Sequence, residues 1–211
     1  MITGSEQDSR RLMMNAAIKI VAGGGFEGFT TKKWASIAGV AEGSLYNHFK
    51  SKDDLLEQTF FYIDHQIAAV FDRFVKKTDF SNLELLVSQL WDEYFGFLID
   101  NPEATLYYYR FRTSPRYNAE VQREQFTYFG SFIGIMNKLN DIMELYKKIS
   151  WNVLWTYVID TTTAFAFRVI TGGIPNNDST EKMMLGLFED GILGIFKMPS
   201  ANSEELPEGY H

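Results

Sequence analysis

Apolar residues recur at helical spacing along most of this chain, and no segment shows the two-residue alternation of a half-buried strand. Between residues 12 and 21 they form one face of a first helix, which the glycines at 23–25 end: Leu12, Met13, Ala16, Ala17, Ile20 and Val21. The same pattern predicts helices over about 51–74, 81–100, 102–113, 117–147, 150–171 and 180–196. The longest of these has a candidate break near Gly130 or Gly134.

Several helix starts carry capping signals. Ser51 and Asp54 have the spacing of a capping box, and Ser81 is the expected first residue of the 81–100 helix. Pro102 follows an asparagine and occupies the first helical position that proline favours. Together with two short helices before residue 50, these segments predict an all-α protein of about nine helices.

The predicted organisation is a small N-terminal domain over residues 1–55 and a larger helical domain over residues 56–198. Residues 199–211 are polar and acidic, and we expect them to form a disordered tail.

The segment TTKKWASIAGVAEGSLYNHF predicts two short helices joined by a tight turn. Thr30 or Thr31 caps a helix that runs to about Ile37, and Gly39 supplies the left-handed backbone that ends it. A second helix then runs over about 42–49. This is a helix-turn-helix arrangement, whose second helix can enter the major groove of DNA.

The stretch from about Arg11 to Leu55 resembles the N-terminal domain of the TetR family of bacterial transcriptional regulators. Four segments carry the resemblance: MMNAAIKIVAGGGFEGFT, WASIAGV, GSLYNHF and KSKDDLL. The rest of the chain shows no motif of this family. The resemblance implies as much, because the C-terminal domains of such proteins diverge with the ligand that each one senses.

The resemblance also implies which residues face DNA. The positions that match the family's contacts are Thr30, Thr31, Lys32, Glu42, Gly43, Ser44, Tyr46, Asn47, His48 and Lys52. Gly43 would allow a close approach of the backbone, Lys52 would pair with a phosphate, and the Asn47 amide suits an adenine edge. Tyr46 and His48 have structural alternatives, packing against the first helix and bonding a helix terminus. Leu45, Phe49 and Trp34 are expected to be core residues.

Two positions depart from the family pattern. Ala41 stands where the recognition helix usually opens with Ser or Thr, which omits a cap worth about 1 kcal/mol. Glu42 follows, and its carboxylate favours a helix N-terminus but is repelled by phosphate. It could instead accept a hydrogen bond from a cytosine amino group.

Charge is divided unevenly along the chain. The net charge is −7, yet residues 1–54 hold seven basic and six acidic residues, a balance of +1, whereas the remainder holds 13 basic and 21 acidic, a balance of −8. The acidic excess therefore lies away from the predicted DNA-binding domain. A balance of +1 is a weak electrostatic footprint for a DNA-binding protein. We therefore expect two copies of the N-terminal domain to bind DNA together.

The composition excludes several function classes. There is no cysteine, so disulfides and thiol catalysis are excluded. No apolar run approaches the roughly 18 residues of a membrane span, and residues 2–12 lack a signal-peptide core, so we expect a cytoplasmic protein. Its three histidines are scattered, and the glycines at 23–25 lack the Lys-Ser/Thr of a phosphate loop. We therefore expect no catalytic site, metal or cofactor.

Aromatic residues cluster in the predicted C-terminal domain, where most of them should be core. A helical domain that senses a ligand needs a concave apolar cavity with a few polar groups. The candidate lining is Trp91, Tyr94, Tyr108, Phe129 and Trp155. Aromatic walls with Glu93 or Asp160 nearby would suit a lipophilic cation. The expected effector is small and hydrophobic or aromatic.

The last two helices are too apolar for a solvated surface and predict a dimer interface. Its candidate residues are Tyr157, Thr161, Phe165, Met184, Leu187, Phe188, Gly191 and Ile195. Gly186, Gly191 and Gly194 weaken the helix, and close approach of a partner helix would explain them. Two helices from each subunit would form an isologous four-helix bundle. The alternative is burial within one chain.

These features favour a homodimeric regulator, most simply a repressor, that leaves a palindromic operator when an effector tilts the fourth helix. An enzyme with an aromatic pocket is a second hypothesis, which the absence of catalytic motifs opposes. The third is a helical interaction protein that has lost DNA binding. Three features support it: Ala41, Glu42 and the weak positive charge.

Overall fold

The structure, a computed structural model of the chain, describes residues 4–77, 82–143 and 149–197. Those residues form ten α-helices and contain no strand, which confirms the predicted all-α class. The helices are α1 (Gly4–Gly24), α2 (Thr31–Ala38), α3 (Leu45–His48), α4 (Lys52–Lys77), α5 (Leu83–Asp100), α6 (Pro102–Arg112), α7 (Ala119–Tyr128), α8 (Gly130–Met143), α9 (Trp151–Ile170) and α10 (Asp178–Lys197). Two single 3-10 turns, Phe26–Gly28 and Glu42–Ser44, precede α2 and α3.

The difference from the predicted nine helices comes from the 117–147 segment. It forms two helices that meet at Phe129, next to one of the two predicted break positions. The first begins after Asn118, whose side-chain oxygen accepts from the amides of Glu120 and Val121 at 2.9 and 3.1 Å. The predicted end near Lys147 lies outside the described residues.

The predicted capping box at the start of α4 is present. The Ser51 hydroxyl accepts from the Asp54 amide at 3.1 Å, and the Asp54 carboxylate accepts from the Lys50 amide at 2.6 Å. At the start of α5, the cap is Asn82, whose side chain accepts from the Leu85 amide at 3.0 Å. The predicted start at Ser81 and the predicted tail 199–211 lie outside the described residues.

One residue that was predicted for the buried face of the first helix is wrong. Leu12 is 58% exposed, whereas Met13, Ala16 and Ala17 are buried. Ile18 and Ala22 are also buried, so the buried face of α1 is displaced from the predicted one and excludes Leu12.

The helices fall into two compact units. The first unit contains the described residues of 1–67 and 101–128, and the second contains those of 68–100 and 129–211. Helices α6 and α7 therefore belong to the same unit as the N-terminal helices. The boundary at 55/56 is not a boundary of these units, and the predicted domain division stays a prediction.

The second unit has an aromatic core. Trp91 stacks on Phe95 with ring centroids 4.6 Å apart, and Phe129 packs edge-on against Trp155 at 4.8 Å. Offset and edge-on pairs of this kind stabilise a core beyond their buried area. The Tyr94 hydroxyl reaches Thr163 Oγ1 at 2.9 Å, so α5 and α9 also share a buried hydrogen bond.

Candidate nucleic-acid interface

The helix-turn-helix is built on α1. Trp34 of α2 is fully buried, and its indole N–H donates to the Met13 carbonyl of α1 at 2.9 Å. The Thr30 hydroxyl accepts from the Lys33 amide at 3.2 Å and caps α2. These contacts fix α2 on α1 before the turn begins.

The turn between the two helices needs glycine. Gly39 has φ 70° and ψ 30°, the left-handed conformation in which a side chain is strained. This confirms the predicted C-terminal cap. Ala41 then opens the next segment without a side-chain cap. The predicted 42–49 helix is a 3-10 turn at Glu42–Ser44 followed by the four residues of α3.

So short a recognition segment depends on tertiary contacts, because an isolated helix of this length is unstable in water. Leu45 and Phe49 are buried, as predicted. On α1, the Arg10 guanidinium donates to the His48 carbonyl and lies 4.4 Å from the centre of the Phe49 ring. Arg10 therefore caps the end of α3, a role that sequence reasoning missed because 38 residues separate it from His48.

The outward edge of the recognition segment consists of Glu42, Gly43, Tyr46 and Asn47, which are all exposed. Tyr46 is 66% exposed, so it does not pack inside the protein. Ser44 is half-buried. The resulting edge presents a phenol, an amide, a carboxylate and the exposed backbone of Gly43, which are groups that can bond to phosphates and base edges.

His48 is placed less favourably for DNA. Its ring is half-buried, and its Nδ1 is buried without a hydrogen-bond partner among the described residues. The predicted contact of His48 with DNA stays a prediction.

The other predicted phosphate contacts flank this edge. Thr30 and Lys32 are exposed and Thr31 is half-buried. The Lys52 ammonium donates to the Phe29 carbonyl at 2.9 Å and lies 5.2 Å from the centre of that ring. Lys52 therefore ties the start of α4 to the segment before α2, and a contact with phosphate would use its remaining donors.

A buried polar network lies behind the N-terminal helices, within the first unit. Asp64 of α4 is fully buried, and its Oδ1 accepts from the Tyr108 hydroxyl at 2.9 Å and the Gln125 amide at 2.7 Å. The Gln125 oxygen accepts from Arg112 at 3.0 Å and Tyr117 at 2.6 Å. Burial raises the pKa of Asp64 to about 7, although the hydrogen bonds from Gln125 and Tyr108 and the charge of Arg112 lower it. The network links α4, α6 and α7.

The five residues predicted to line an effector pocket are not together. Trp91, Tyr94, Phe129 and Trp155 are buried in the second unit, whereas Tyr108 belongs to the first unit and bonds to Asp64. Their predicted role in ligand binding stays a prediction.

The second unit contains an apolar cavity that none of the five lines. The volume of this cavity is about 40 Å³. All the described residues that line it are apolar: Phe74, Leu83, Leu86, Val87, Leu90, Phe132, Ile135, Met136, Leu154, Val158, Ile192 and Ile195. Apolar walls of this kind favour a hydrocarbon group over a polar one. A charged group placed in it would lack any partner.

The predicted dimer residues separate into two groups. Met184, Phe188 and Ile195 are buried in the core of the chain itself, whereas Leu187 is 63% exposed. Tyr157, Thr161, Phe165 and Gly191 are half-buried. Val153 and Met183, 56% and 59% exposed, add to the apolar surface of α9 and α10.

Gly191 has a role inside the chain. A Cβ at this position would overlap the Tyr157 hydroxyl, which donates to the Leu187 carbonyl at 3.2 Å. The approach of a tyrosine from α9 is therefore one reason for this glycine, and its predicted place in a dimer interface stays a prediction. A Cβ at Gly186 or Gly194 would meet no atom within 4 Å, so the chain itself gives no reason for those two glycines.

Helix α9 is long and apolar enough to cross a membrane by length and composition alone. Of its most apolar 18-residue window, 44% is buried inside the protein. The core helix of a globular unit passes the same test.

Residues 13–59 match the family model of bacterial regulatory proteins of the tetR family. The matched segment contains about half of α1, all of α2 and α3, and the start of α4, and the outward edge lies within it. The match confirms the resemblance drawn from the sequence. No curated protein matches the chain.

Solved structures share the fold over most of the chain. A TetR family transcription regulator from Marinobacter aquaeolei VT8 has a TM-score of 0.74 at 21% identity, with 89% of this chain and 97% of that one covered. The transcriptional regulator FadR from Bacillus subtilis, in complex with stearoyl-CoA, gives 0.66 at 17%, covering 86% and 98%. The fatty acid degradation regulator FadR from Bacillus halodurans gives 0.61 at 17%, covering 86% and 98%.

Proposed function

We propose that this chain, a member of the TetR family of bacterial regulatory proteins through its domain at residues 13–59, is a homodimeric repressor of transcription. It would bind a palindromic operator and leave it when a small hydrophobic effector binds. The observation that carries the proposal is the outward edge of Glu42, Gly43, Tyr46 and Asn47 on a segment fixed from behind by Leu45, Phe49 and Arg10. An exposed polar edge on a rigid helix pair is what reading a major groove requires.

Dimerisation is proposed through α9 and α10. Val153, Met183 and Leu187 are exposed apolar side chains on these two helices, and Gly186 and Gly194 leave room for another backbone. Burial of such a surface would favour association at about 25 cal/mol per Å² of apolar area. A twofold axis would also present two recognition edges to a palindrome, which compensates for the weak positive charge of each head.

The proposed effector is a neutral hydrophobic molecule or the hydrocarbon part of a larger one. The apolar lining of the cavity supports this, because a lipophilic cation would find no partner among the twelve lining residues. The related FadR from Bacillus subtilis was solved with stearoyl-CoA, which agrees with a hydrocarbon ligand. Such an effector weakens operator binding only if it prefers the non-binding conformation, and the operator then weakens effector binding equally.

The remaining parts of the proposal follow from this role. A DNA-binding regulator would work in the cytoplasm, without a membrane and without a cofactor. The solved structures that resemble the chain are transcription regulators, and we propose no enzymatic activity.

The test is selection of bound duplexes from a random DNA library by the full-length protein, followed by affinity measurements on the selected site. We expect a palindromic site, and a loss of about tenfold or more for Asn47→Ala, since a bidentate base contact is worth about 1–3 kcal/mol. Exposed Lys19→Ala on α1 is the control for a general charge effect. If the protein is a folded dimer and still enriches no sequence, the proposal is contradicted.

That failure would favour the second candidate, a helical interaction protein that has lost specific DNA binding. Glu42 supports this alternative, because its carboxylate is exposed at the start of the recognition segment, where it faces away from the protein. Glu42→Lys distinguishes the two. Gain of DNA binding only in the variant would indicate a lost function, whereas a changed site preference would make Glu42 part of the readout.

A further inference from the structure

We propose that Arg110 and Arg116 fix the orientation of the DNA-binding head and thereby set the half-site spacing that the dimer accepts. The head is defined here as α1, the turn Phe26–Gly28, α2 and the recognition segment up to His48. Both arginines are positioning residues, since neither belongs to the outward edge. The inference rests on the proposed function, because spacing has meaning only for a dimer that binds DNA.

Arg110 of α6 holds the end of α1. Its guanidinium donates to the Val21 carbonyl and to the Ala22 carbonyl, the latter at 3.0 Å. The last four carbonyls of a helix lack intrahelical partners and form the negative end of its dipole. Helix α1 has no basic residue in its own last turn, so α6 supplies the cation that this end lacks.

Arg116, which follows α6, makes a second attachment. Its guanidinium pairs with the Asp53 carboxylate in the first turn of α4 and lies 5.3 Å from the centre of the Phe26 ring. Phe26 belongs to the turn directly after α1. One arginine therefore spans the exit of α1 and the entry of α4, the two places where the chain enters and leaves the helix-turn-helix.

Aromatic rings of α6 close the same corner. Phe26 packs edge-on against Tyr107 at 5.9 Å and Phe111 at 6.1 Å. The Tyr107 hydroxyl donates to the Leu56 carbonyl of α4 at 2.6 Å. The Tyr107 bond joins α6 to α4, whereas the ring contacts bring α6 against the head; rings can slide on each other, but charge-assisted hydrogen bonds have fixed directions. The two arginines therefore supply the angular constraint.

The constraint reaches the recognition segment because the head is internally rigid. Trp34 joins α2 to α1 through the Met13 carbonyl, and Arg10 joins α1 to the end of α3. A rotation of α1 at its C-terminal end would thus move the outward edge with it. On DNA, one added base pair shifts a half-site by about 3.4 Å and rotates it by roughly 35°. A head held at α6 cannot follow such a change, and a released head can.

The experiment measures affinity against spacing. The site selected by the full-length protein is resynthesised with one or two base pairs added to or removed from its centre. Each duplex is titrated with the natural chain, with Arg110→Gln, with Arg116→Gln and with the double variant. Arg123→Gln, an exposed arginine of α7 in the same unit, is the matched control. Thermal melting and mass in solution establish that every variant is a folded dimer.

We expect the natural chain and the Arg123 control to lose about tenfold or more in affinity for a one-base-pair change, and the double variant to lose less than about threefold. Asp53→Asn removes the ion pair alone, whereas Arg116→Gln also removes the contact with the Phe26 ring, so both should broaden the spacing profile and Arg116→Gln at least as much. If Arg110→Gln fails to fold, these two single variants still decide the question for Arg116.

Two results would overturn the inference. The first is a double variant that loses affinity by one common factor at every spacing, which would mean that the arginines only stabilise the fold. The second is a natural chain that already accepts every spacing equally. A natural chain that binds no duplex at all would instead contradict the proposed function on which the inference rests.

Discussion

The two units of this protein use different kinds of contact. In the first unit, directional polar contacts join distant segments: Trp34 to the Met13 carbonyl, Arg110 to the end of α1, and the Asp64 carboxylate to Tyr108 and Gln125. The core of the second unit is mainly packed rings and aliphatic side chains around a cavity. Directional contacts hold a surface in one orientation, whereas apolar packing accepts rearrangement at lower cost. The first arrangement suits a reader of DNA, and the second suits a sensor of hydrophobic molecules.

The largest expected effect comes from the buried carboxylate of the first unit. Burial raises the pKa of Asp64 from its ordinary 3.8 to about 7. The folded chain therefore keeps a proton at Asp64 that the unfolded chain releases near pH 4. Binding of this proton adds to the free energy of unfolding. The contribution is fully present below about pH 4 and is lost as the pH rises through about 7.

Asp64→Asn cannot ionise, so it should remove this pH dependence. We expect the variant to be more stable than the natural chain at about pH 8, by up to about 4 kcal/mol, since each pH unit between the two pKa values is worth about 1.4 kcal/mol. The gap should shrink towards zero near pH 4. Urea unfolding across this range measures it. A gap that stays constant with pH would show that Asp64 is not the group responsible.

The next effect compares two fully buried tryptophans. The Trp34 indole N–H bonds to the Met13 carbonyl, whereas the Trp91 indole N–H of the second unit has no hydrogen-bond partner among the described residues. Replacement by phenylalanine deletes the same atoms in both. Trp34→Phe should therefore destabilise the protein by about 1–3 kcal/mol more than Trp91→Phe, because only the former breaks a buried hydrogen bond. Chemical denaturation tests this, and equal losses would mean that the indole bond contributes nothing.

Three glycines of α10 test how the surface of the second unit is used. Alanine at Gly191 would displace the Tyr157 ring, so Gly191→Ala should destabilise the chain. Gly186→Ala and Gly194→Ala should each raise helix stability by about 1 kcal/mol, because no described atom outside the backbone of α10 lies within 4 Å of the added Cβ. If a partner helix packs there, both should raise the dimer dissociation constant by about tenfold. Analytical ultracentrifugation separates these outcomes, and unchanged dimerisation would place the interface elsewhere.

The smallest effect concerns the cap on the recognition segment. Arg10→Gln removes the charged donor from the His48 carbonyl and the contact with the Phe49 ring. We expect a loss of about 1 kcal/mol in stability and a fall in operator affinity beyond that of the exposed Lys19→Gln control. Calorimetry and DNA titration measure the two losses. An affinity equal to that of the control would mean that α3 holds its position without Arg10.

Sequence reasoning succeeded where the decisive interaction is local. The Thr30 cap, the left-handed Gly39 and the Ser51–Asp54 box each involve residues within four positions of one another, so their signals lie in a short window. It also identified Leu45 and Phe49 as buried. It misjudged Leu12, because an apolar run does not fix which face of a helix is buried.

The residues that the sequence could not assign are those whose partners are far away along the chain. Arg110 is 88 residues from Ala22, and Asp64 is 61 from Gln125. An aromatic residue in a helix is apolar whether it packs against another ring or faces a cavity. This is why the sequence found the aromatic clusters but gave no signal for the cavity lining.

The sequence by itself determined the all-α class, the helix-turn-helix and the resemblance of that segment to a family of regulators, because helical period, capping and turn geometry depend on near neighbours. Only the tertiary structure decided that α6 and α7 join the N-terminal unit, that Arg10 and Arg110 cap the ends of other helices, and that the described residues around the cavity are all apolar. Those features depend on which distant surfaces meet. Many packings satisfy one pattern of apolar positions, and the shapes and charges of the meeting side chains select among them.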